Sequence, residues 1–349
     1  MITGYVWLIL ISLLSINMGI FIFVLIKKMT MNSINKKKAA IKSEYEDEFV
    51  RFITSPDDEI KVEPKTYLEK KVCQSLILDY NAYIPESKRK VLLERTGTDE
   101  TLNKVTRNLS SSNVWKKKTG TFLAGEYEFD TLAPVLLKQL QTKDNQLLFV
   151  TAKSLIKMCD RQFLKEVLQE AAKDNRMEKN QVLSLLELVE EDIEDILEEC
   201  MLSDDLFLQV IALEELGKRH YSNSVKWIRT SVLHSQKEIR IAALKASYNI
   251  GNSGDDLYLN DIVSVKDDSE WEVRSFLAKV LRKINTEKSM DILIDYMSDQ
   301  NWYVRHHAAD SLYAHGDRGI NALNHLLYSD DRFAKDAAGA VLQKVALNK

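Results

Sequence analysis

With 349 residues, 45% apolar and 29% charged, the chain has ample material for a core, and only 4 Pro and 11 Gly with almost no alternating apolar pattern exclude a β-rich fold and point to an all-α chain. The formal charge of −4 is unevenly spread: residues 1–26 carry none, residues 27–42 carry six lysines and no acid, and residues 43–349 therefore carry −10. An acidic body of this kind argues against nucleic acid as a partner, which would call for a basic stripe on the body itself.

The first element is apolar. Tyr5 to Ile26 are 22 residues without a charge, which as a helix span roughly 33 Å against a hydrocarbon core of about 30 Å. Residues 1–26 are thus expected to be a transmembrane anchor, in which Ser12, Ser15 and Asn17 are tolerable because hydroxyls bond back to the helix and an amide finds a partner helix or headgroups. No Lys or Arg precedes the run and no Ala-x-Ala-like site follows it, which argues against a cleaved signal peptide. Lys27, Lys28, Lys36, Lys37, Lys38 and Lys42 stand directly after it. Basic residues are retained on the cytoplasmic side, so the expectation is a single-pass protein of the cell membrane with its N-terminus outside and its body in the cytoplasm. The same lysines are expected near anionic headgroups.

Residues 27–64 read as a basic juxtamembrane segment, a helix and a linker. Ile41, Tyr45, Phe49 and Phe52 share one side of a helix over 32–53. The acids Glu44, Glu46, Asp47 and Glu48 make a bilayer seat for it awkward, so packing on a partner or on the body is preferred. Thr54 to Pro64 is a polar linker punctuated by Pro56 and Pro64. Residues 65–107 read as a helical N-terminal cap, with Tyr67, Leu68, Val72, Leu76, Ile77 and Tyr80 on its first helix and Val91, Leu92 and Leu93 on its second.

From residue 108 to 349 a unit of about 30 residues repeats. Anchors at Lys118, Leu148, Glu178, Leu208, Ile239, Val273, Val304 and Phe333 are separated by 30, 30, 30, 31, 34, 31 and 29 residues. Four residues past them stand Phe122, Ala152, Val182, Ala212, Ala243, Leu277, Ala308 and Ala337. Eight past stand Ile156, Leu186, Leu216, Leu281, Leu312 and Val341, with Glu126 and Ser247 as exceptions. Small or apolar residues at these offsets form one helix face, and the period is that of stacked helix pairs, about eight here, the last read as a second helix alone. Asp144, Asp174, Asp204, Asp268, Asp299 and Asp330, with Ser235 in the remaining loop, precede the anchors as helix caps.

The pairs Ile239-Arg240, Val273-Arg274 and Val304-Arg305, the last followed by His306-His307-Ala308-Ala309 and Leu312, resemble the second helix of HEAT repeats, in particular the short bacterial type related to phycobilisome lyase repeats. Upstream, Leu78-x-Tyr80, Arg89, Leu92-Leu93-Glu94, Gly97, Leu109-Ser110-Ser111 and Trp115-Lys116-Lys117 resemble the lead-in of bacterial membrane-anchored HEAT-repeat proteins, although Lys118-Thr119-Gly120 replaces an expected Ala-rich helix. The resemblance implies a HEAT-like solenoid that scaffolds or binds proteins. It brings no catalytic residues, and its weak family association suggests a membrane-bound glycosyltransferase or another cell-envelope assembly as partner. An enzyme of bilin-lyase-like or HEAT-like DNA glycosylase type is the alternative, the first needing a tetrapyrrole and the second a basic groove.

Candidate sites are few. Trp271 and Trp302 stand two residues before their anchors and are expected to be neighbours, beside Tyr303 and the aligned Arg240, Arg274 and Arg305. Either the arginines bond loop aspartates of adjoining repeats while the indoles cover loop edges, or the group is a peptide- or helix-binding surface, since Trp, Tyr and Arg dominate hot spots. Glu190 to Asp205 hold nine acids and no base on the outer face of a repeat helix, either solvated or a dock for a basic partner. His306, His307 and His315 lack an HExxH or cysteine companion, and consecutive histidines point to different sides of a helix, so no metal site is expected. Cys73, Cys159 and Cys200 have no pairing spacing and read as free thiols in a reducing compartment. Without a phosphate loop, a GxSxG elbow or a kinase signature, no catalytic residue and no cofactor are assigned.

Overall fold

The computed structural model describes residues 2–55, 63–96, 98–221, 223–251 and 256–347, and among the described residues there is no strand. The chain forms two compact units, Met1–Phe129 and Asp130–Lys349.

The N-terminal unit holds α1 (Ile2–Thr54), α2 (Tyr67–Asp79), α3 (Glu86–Thr96), α4 (Thr98–Leu109) and α5 (Val114–Glu126). A break between residue 26 and residue 32 does not occur: α1 is one helix of 53 residues. The intervening Lys27-Lys28-Met29-Thr30-Met31 contains no Pro or Gly to end it, and the Thr30 hydroxyl bonds back to the Ile26 carbonyl at 2.8 Å. This helix is long and apolar enough to cross a membrane, and among the described residues its apolar window from Ser12 onward is not buried. Its far end is fastened. Phe49 and Phe52 are buried, α1 packs on α2, and Ile41 and Tyr45 are half-buried. Lys42 meets Asp79 at 2.7 Å, Tyr80 donates to Glu46 at 2.8 Å, and the buried Lys88 ammonium caps the helix by donating to the Phe52 carbonyl at 2.6 Å. The linker expected over Thr54–Pro64 has its middle, 56–62, outside the described residues.

The expected cap over 65–107 corresponds to α2–α4, and the contact boundary falls at Phe129, so α5 lies in the N-terminal unit. The anchor at Lys118 is out of register there. Gly120, Thr121, Ala124 and Gly125 form the buried face, Phe122 is exposed, and a β-carbon on Gly120 would lie 2.8 Å from Asn108 Cβ on α4.

Among the described residues the second unit holds seven helix pairs: α6 (Ala133–Gln139) with α7 (Asn145–Cys159), α8 (Leu164–Ala172) with α9 (Lys179–Leu186), α10 (Glu194–Met201) with α11 (Leu206–Arg219), α12 (Ser224–Ser231) with α13 (Lys237–Ile250), α14 (Asp256–Val263) with α15 (Trp271–Leu281), α16 (Glu287–Tyr296) with α17 (Trp302–Ala314), and α18 (Asp317–Leu326) with α19 (Arg332–Leu347). The last pair is complete, where the sequence reading has a lone second helix. Each second helix from α7 to α17 packs on the next. Ala152, Val182, Ala212, Ala243, Leu277 and Ala308 are wholly buried in these contacts, and the core from Ile228 to Val341 is continuous.

Two further anchors shift. Glu178 is the N-cap of α9, and the exposed Phe333 precedes the buried Ala334 and Ala338, which restore a spacing of 30 from Val304. The two polar exceptions are buried with partners: Tyr258 donates to Ser247 at 2.7 Å, and Asn81 donates to Glu126 at 2.9 Å. Asp144 caps α7, accepting from the Leu147 amide at 2.8 Å. Asp205 and Asp331, each one residue after the expected Asp204 and Asp330, cap α11 and α19. Asp174 lies in a 3₁₀ turn at φ 51° and is not a cap, and Ser235 is not one either: the N-cap of α13 is Gln236, whose amide donates to His234 Nδ1 at 3.1 Å.

Close approach to a neighbouring backbone requires glycine at Gly217, as it does at Gly120 and Gly319. A β-carbon on Gly217 of α11 would lie 2.4 Å from Ala246 Cα on α13. Gly217→Ala is therefore expected to lower stability by about 1–3 kcal/mol through overpacking. Gly339→Ala, whose new carbon meets only Leu327 Cδ2 at 3.7 Å, is expected to be neutral or stabilising, since Ala favours a helix over Gly by about 1 kcal/mol. Urea unfolding followed by circular dichroism distinguishes the two.

Candidate functional site

Three arginines one residue past the anchors form rungs between repeats. Arg240 donates from Nε and Nη2 to the two Asp268 oxygens at 2.7 and 2.9 Å, and from Nη1 to the carbonyls of His234 and Ser235 at 2.9 and 3.0 Å. Arg274 repeats this with Asp299 at 2.7 and 3.0 Å and with the carbonyls of Asp268 and Ser269 at 2.6 and 3.2 Å. Arg305 keeps the carbonyl pair, Asp299 and Gln300, at 2.6 and 3.0 Å, and lays its guanidinium over the Phe333 ring at 4.4 Å. The aspartates close their own loops as well: Asp268 accepts from the Glu270 amide and Asp299 from the Asn301 amide, at 2.9 and 2.7 Å. Asp268 and Asp299 are thus fork acceptors between repeats rather than N-caps, which are Glu270 and Asn301. The Asp299 carboxylate holds the Arg274 pKa above its usual value. All three arginines are spent on the stack, and Arg305 is only 8% exposed.

Beside the ladder lies a row of exposed rings. Trp271 and Trp302 do not meet directly. Trp302 lies along its own helix, stacked on His306 at 4.8 Å and 7°, and Tyr303 reaches back to stack on Trp271 at 5.2 Å while meeting Trp302 edge-on at 5.1 Å. Trp302 and Tyr303 remain 57% and 51% exposed, and Trp271 36%, so this row is not covered by the chain.

A groove of about 620 Å³ crosses α9, α11, α13, α15 and α17. Glu214 accepts from Lys179 and Lys245 at 2.8 and 2.9 Å, and Lys218 meets Glu187 at 2.5 Å. Lys245 and Lys279 flank the Phe276 ring at 5.4 and 4.7 Å, and Lys283 sits over Tyr248 at 4.1 Å. Burial lowers the Lys245 pKa although Glu214 opposes it. His307 and Asp310 complete the wall, and burial, with Lys279 nearby, pushes the His307 imidazole down to about 4. Sequence reading missed this groove. Its signal is a column six residues past the anchors, Glu214, Lys245, Lys279 and Asp310, whose mixed charge hides it from an apolar template.

The remaining candidates are placed as follows. Of the acidic run, only Glu194–Met201 is helical. Arg161 forks Asp195 at 2.7 and 2.6 Å, Lys165 pairs with Glu199, and the Trp227 indole donates to Glu198 at 3.1 Å. Bases of the preceding repeat thus pair with Asp195 and Glu199 of the nine acids. His315 is buried between the Leu281 carbonyl, at 2.9 Å from Nε2, and the Met290 sulfur. The cysteines are free thiols, and burial pushes Cys73 up to about 12 and Cys200 to about 11. Lys27, Lys28, Lys36, Lys37 and Lys38 are exposed along α1, whereas Lys42 is held by Asp79.

Residues 259–343 match the family described as HEAT repeats, and the helix pairs upstream of the match continue the same all-helical repeat pattern. No curated protein matches it. Among solved structures, an engineered protein shares 16% identity over 85% of this chain and 88% of its own, with a TM-score of 0.36. Human deoxyhypusine hydroxylase in complex with glycerol shares 14% over 87% and 96%, at 0.30. A second engineered protein shares 16% over 71% and 97%, at 0.24. Likenesses of this size carry no functional argument.

The ladder has a direct consequence. Arg274→Ala strands the mostly buried Asp299 carboxylate and is expected to cost about 3–5 kcal/mol of stability, with Arg274→Lys recovering only part because an ammonium cannot fork two oxygens. Urea unfolding of both variants checks it; equal stability of Arg274→Lys and the parent would show that the fork geometry contributes nothing.

Proposed function

We propose that this protein is a membrane-anchored scaffold that holds a protein partner at the inner face of the cell membrane, and that it is a binding protein rather than an enzyme. HEAT repeats commonly mediate protein–protein interaction, and the observation that carries the reading is the exposed row Trp271, Tyr303 and Trp302 on adjacent repeats. Large rigid rings contribute contact area at little entropic cost and dominate hot spots. Because Arg240, Arg274 and Arg305 are engaged in rungs, they act behind the surface by fixing the loops that present the rings.

The anchor is the first half of α1. None of its apolar window is buried, and Leu14 and Phe23 are 73% and 66% exposed, surfaces that a bilayer covers and water does not. The lysines after Ile26 support an outside N-terminus and a cytoplasmic body. On a straight helix Lys27 and Lys28 fall at headgroup level, Lys36 to Lys38 lie about 15–18 Å beyond Ile26, and Lys42 about 24 Å beyond. Most of the cluster therefore acts as a topology signal and spacer. A membrane-bound glycosyltransferase or another cell-envelope assembly is the first partner to test, and the anchor raises its effective concentration around the repeats.

Two measurements test the reading. A reporter fused after Lys349 is expected to resist external protease in intact cells, and cleavage without lysis would overturn the orientation. The double change Trp271→Ala and Trp302→Ala is expected to remove the co-purifying partner from detergent-solubilised membranes while helical circular dichroism is kept, since truncating a hot spot costs at least about 2 kcal/mol of binding. An unchanged partner yield would sink the aromatic row as the contact surface.

A further inference from the structure

One group of side chains on α17 is not used by the arginine ladder, although its His306 ring stacks on Trp302 of the aromatic row. Positions i, i+1 and i+4 of a helix form a triangle, because i+4 neighbours the first across four residues and the second across three. His306, His307 and Asp310 occupy these positions, so the carboxylate one turn on lies between two imidazoles that by themselves diverge. Their ligand atoms all lie within 4.8 Å of one another, and His306 Nε2 is 3.5 Å from Asp310 Oδ2. All three are half-buried. The His306 ring is held by its stack on Trp302, as a metal ligand is held by its outer shell.

We propose that His306, His307 and Asp310 bind one divalent transition-metal ion of the zinc class. Two neutral imidazoles and one carboxylate are a donor set that suits Zn²⁺, which takes three protein ligands when a fourth position is left for water or an external donor. Tetrahedral bonds of about 2.0–2.2 Å bring ligand atoms to about 3.3–3.6 Å from one another. The His306–Asp310 pair is already close to that, and His307 needs only a side-chain adjustment. One group opposes the ion: Lys279 on α15 acts on His307 with its positive charge while sitting over Phe276. This site stands independently of the partner reading.

The test uses the full untagged chain in detergent, titrated with Zn²⁺ by calorimetry and with Co²⁺ followed by its visible absorption, in excess Mg²⁺. One equivalent of metal is expected. His306→Gln, His307→Gln and Asp310→Asn are each expected to weaken binding about tenfold or more, since outer-shell partners alone are worth about 10–100-fold. Lys279→Gln is expected to tighten it, a response that a purely structural role of the triad would not give. Circular dichroism must stay unchanged in all four variants, and His325→Gln, at an exposed histidine outside the triangle, must leave binding unaltered. Failure of the parent to take up Zn²⁺ or Co²⁺, or uptake that survives His306→Gln combined with His307→Gln, would overturn the site and leave His306–Asp310 as an ordinary ion pair along the helix.

Discussion

A pair of helices from this chain cannot bury its own apolar face, and everything in the second unit follows from that constraint. Each repeat covers its neighbour, so the residues that decide the fold are those at the contact between successive second helices. Ala152, Ala212, Ala243 and Ala308 are wholly buried there, and Gly217 lets α11 meet the backbone of α13. Small residues bring helix axes together, but they do not fix the loops. In the C-terminal repeats that role falls to arginine, which ties two carbonyls of its own loop to the carboxylate of the next. A buried fork of this kind adds geometry more than net energy. Its effect is to hold Trp271, Trp302 and Tyr303 at fixed positions outside the core.

The same division between core and presentation appears in the N-terminal unit. The last turns of α1 belong to a small core with Phe49, Phe52, Leu76 and Leu92 at its centre, while the apolar residues described from Leu13 to Ile26 are exposed. Because α1 is unbroken and its end is capped by Lys88 and bound to its own unit through Lys42 and Glu46, the apolar segment is continuous with the packed end through one helix, with no loop between. In the proposed membrane setting, this fixes the distance of the N-terminal unit from the bilayer, which a Gly/Ser tether would not.

Much of this was legible in the sequence because it depends on periodicity. The alanines and the Arg240, Arg274 and Arg305 column stand where their offsets put them, and the loop-aspartate bonds were one of the two readings of the arginines. Errors arose where local chemistry overrides the period. Glu178 and Phe333 keep the spacing of the anchors, yet the first is a cap and the second a lid on Arg305. Asp204 and Asp205, or Asp330 and Asp331, are equivalent to a pattern, and only backbone geometry selects the one whose oxygen faces the free amides. Lys27 to Met31 look like a boundary by charge, but charge does not stop a helix; Pro and Gly do. The groove joins residues that an apolar template scores as surface, and the sequence reading of His306 and His307 pairs them with His315 and leaves out Asp310, one turn on.

The central claim is that stability in the second unit is passed between neighbours, with the arginine forks as links. Native-state hydrogen exchange of the full chain carrying Asp299→Asn, compared with the parent, tests it most directly. The account predicts faster exchange in α15 and α17, which the Arg274–Asp299 fork joins, with α7 and α9 unchanged. Equal loss of protection from α7 through α19, or none in α15 and α17, would contradict it.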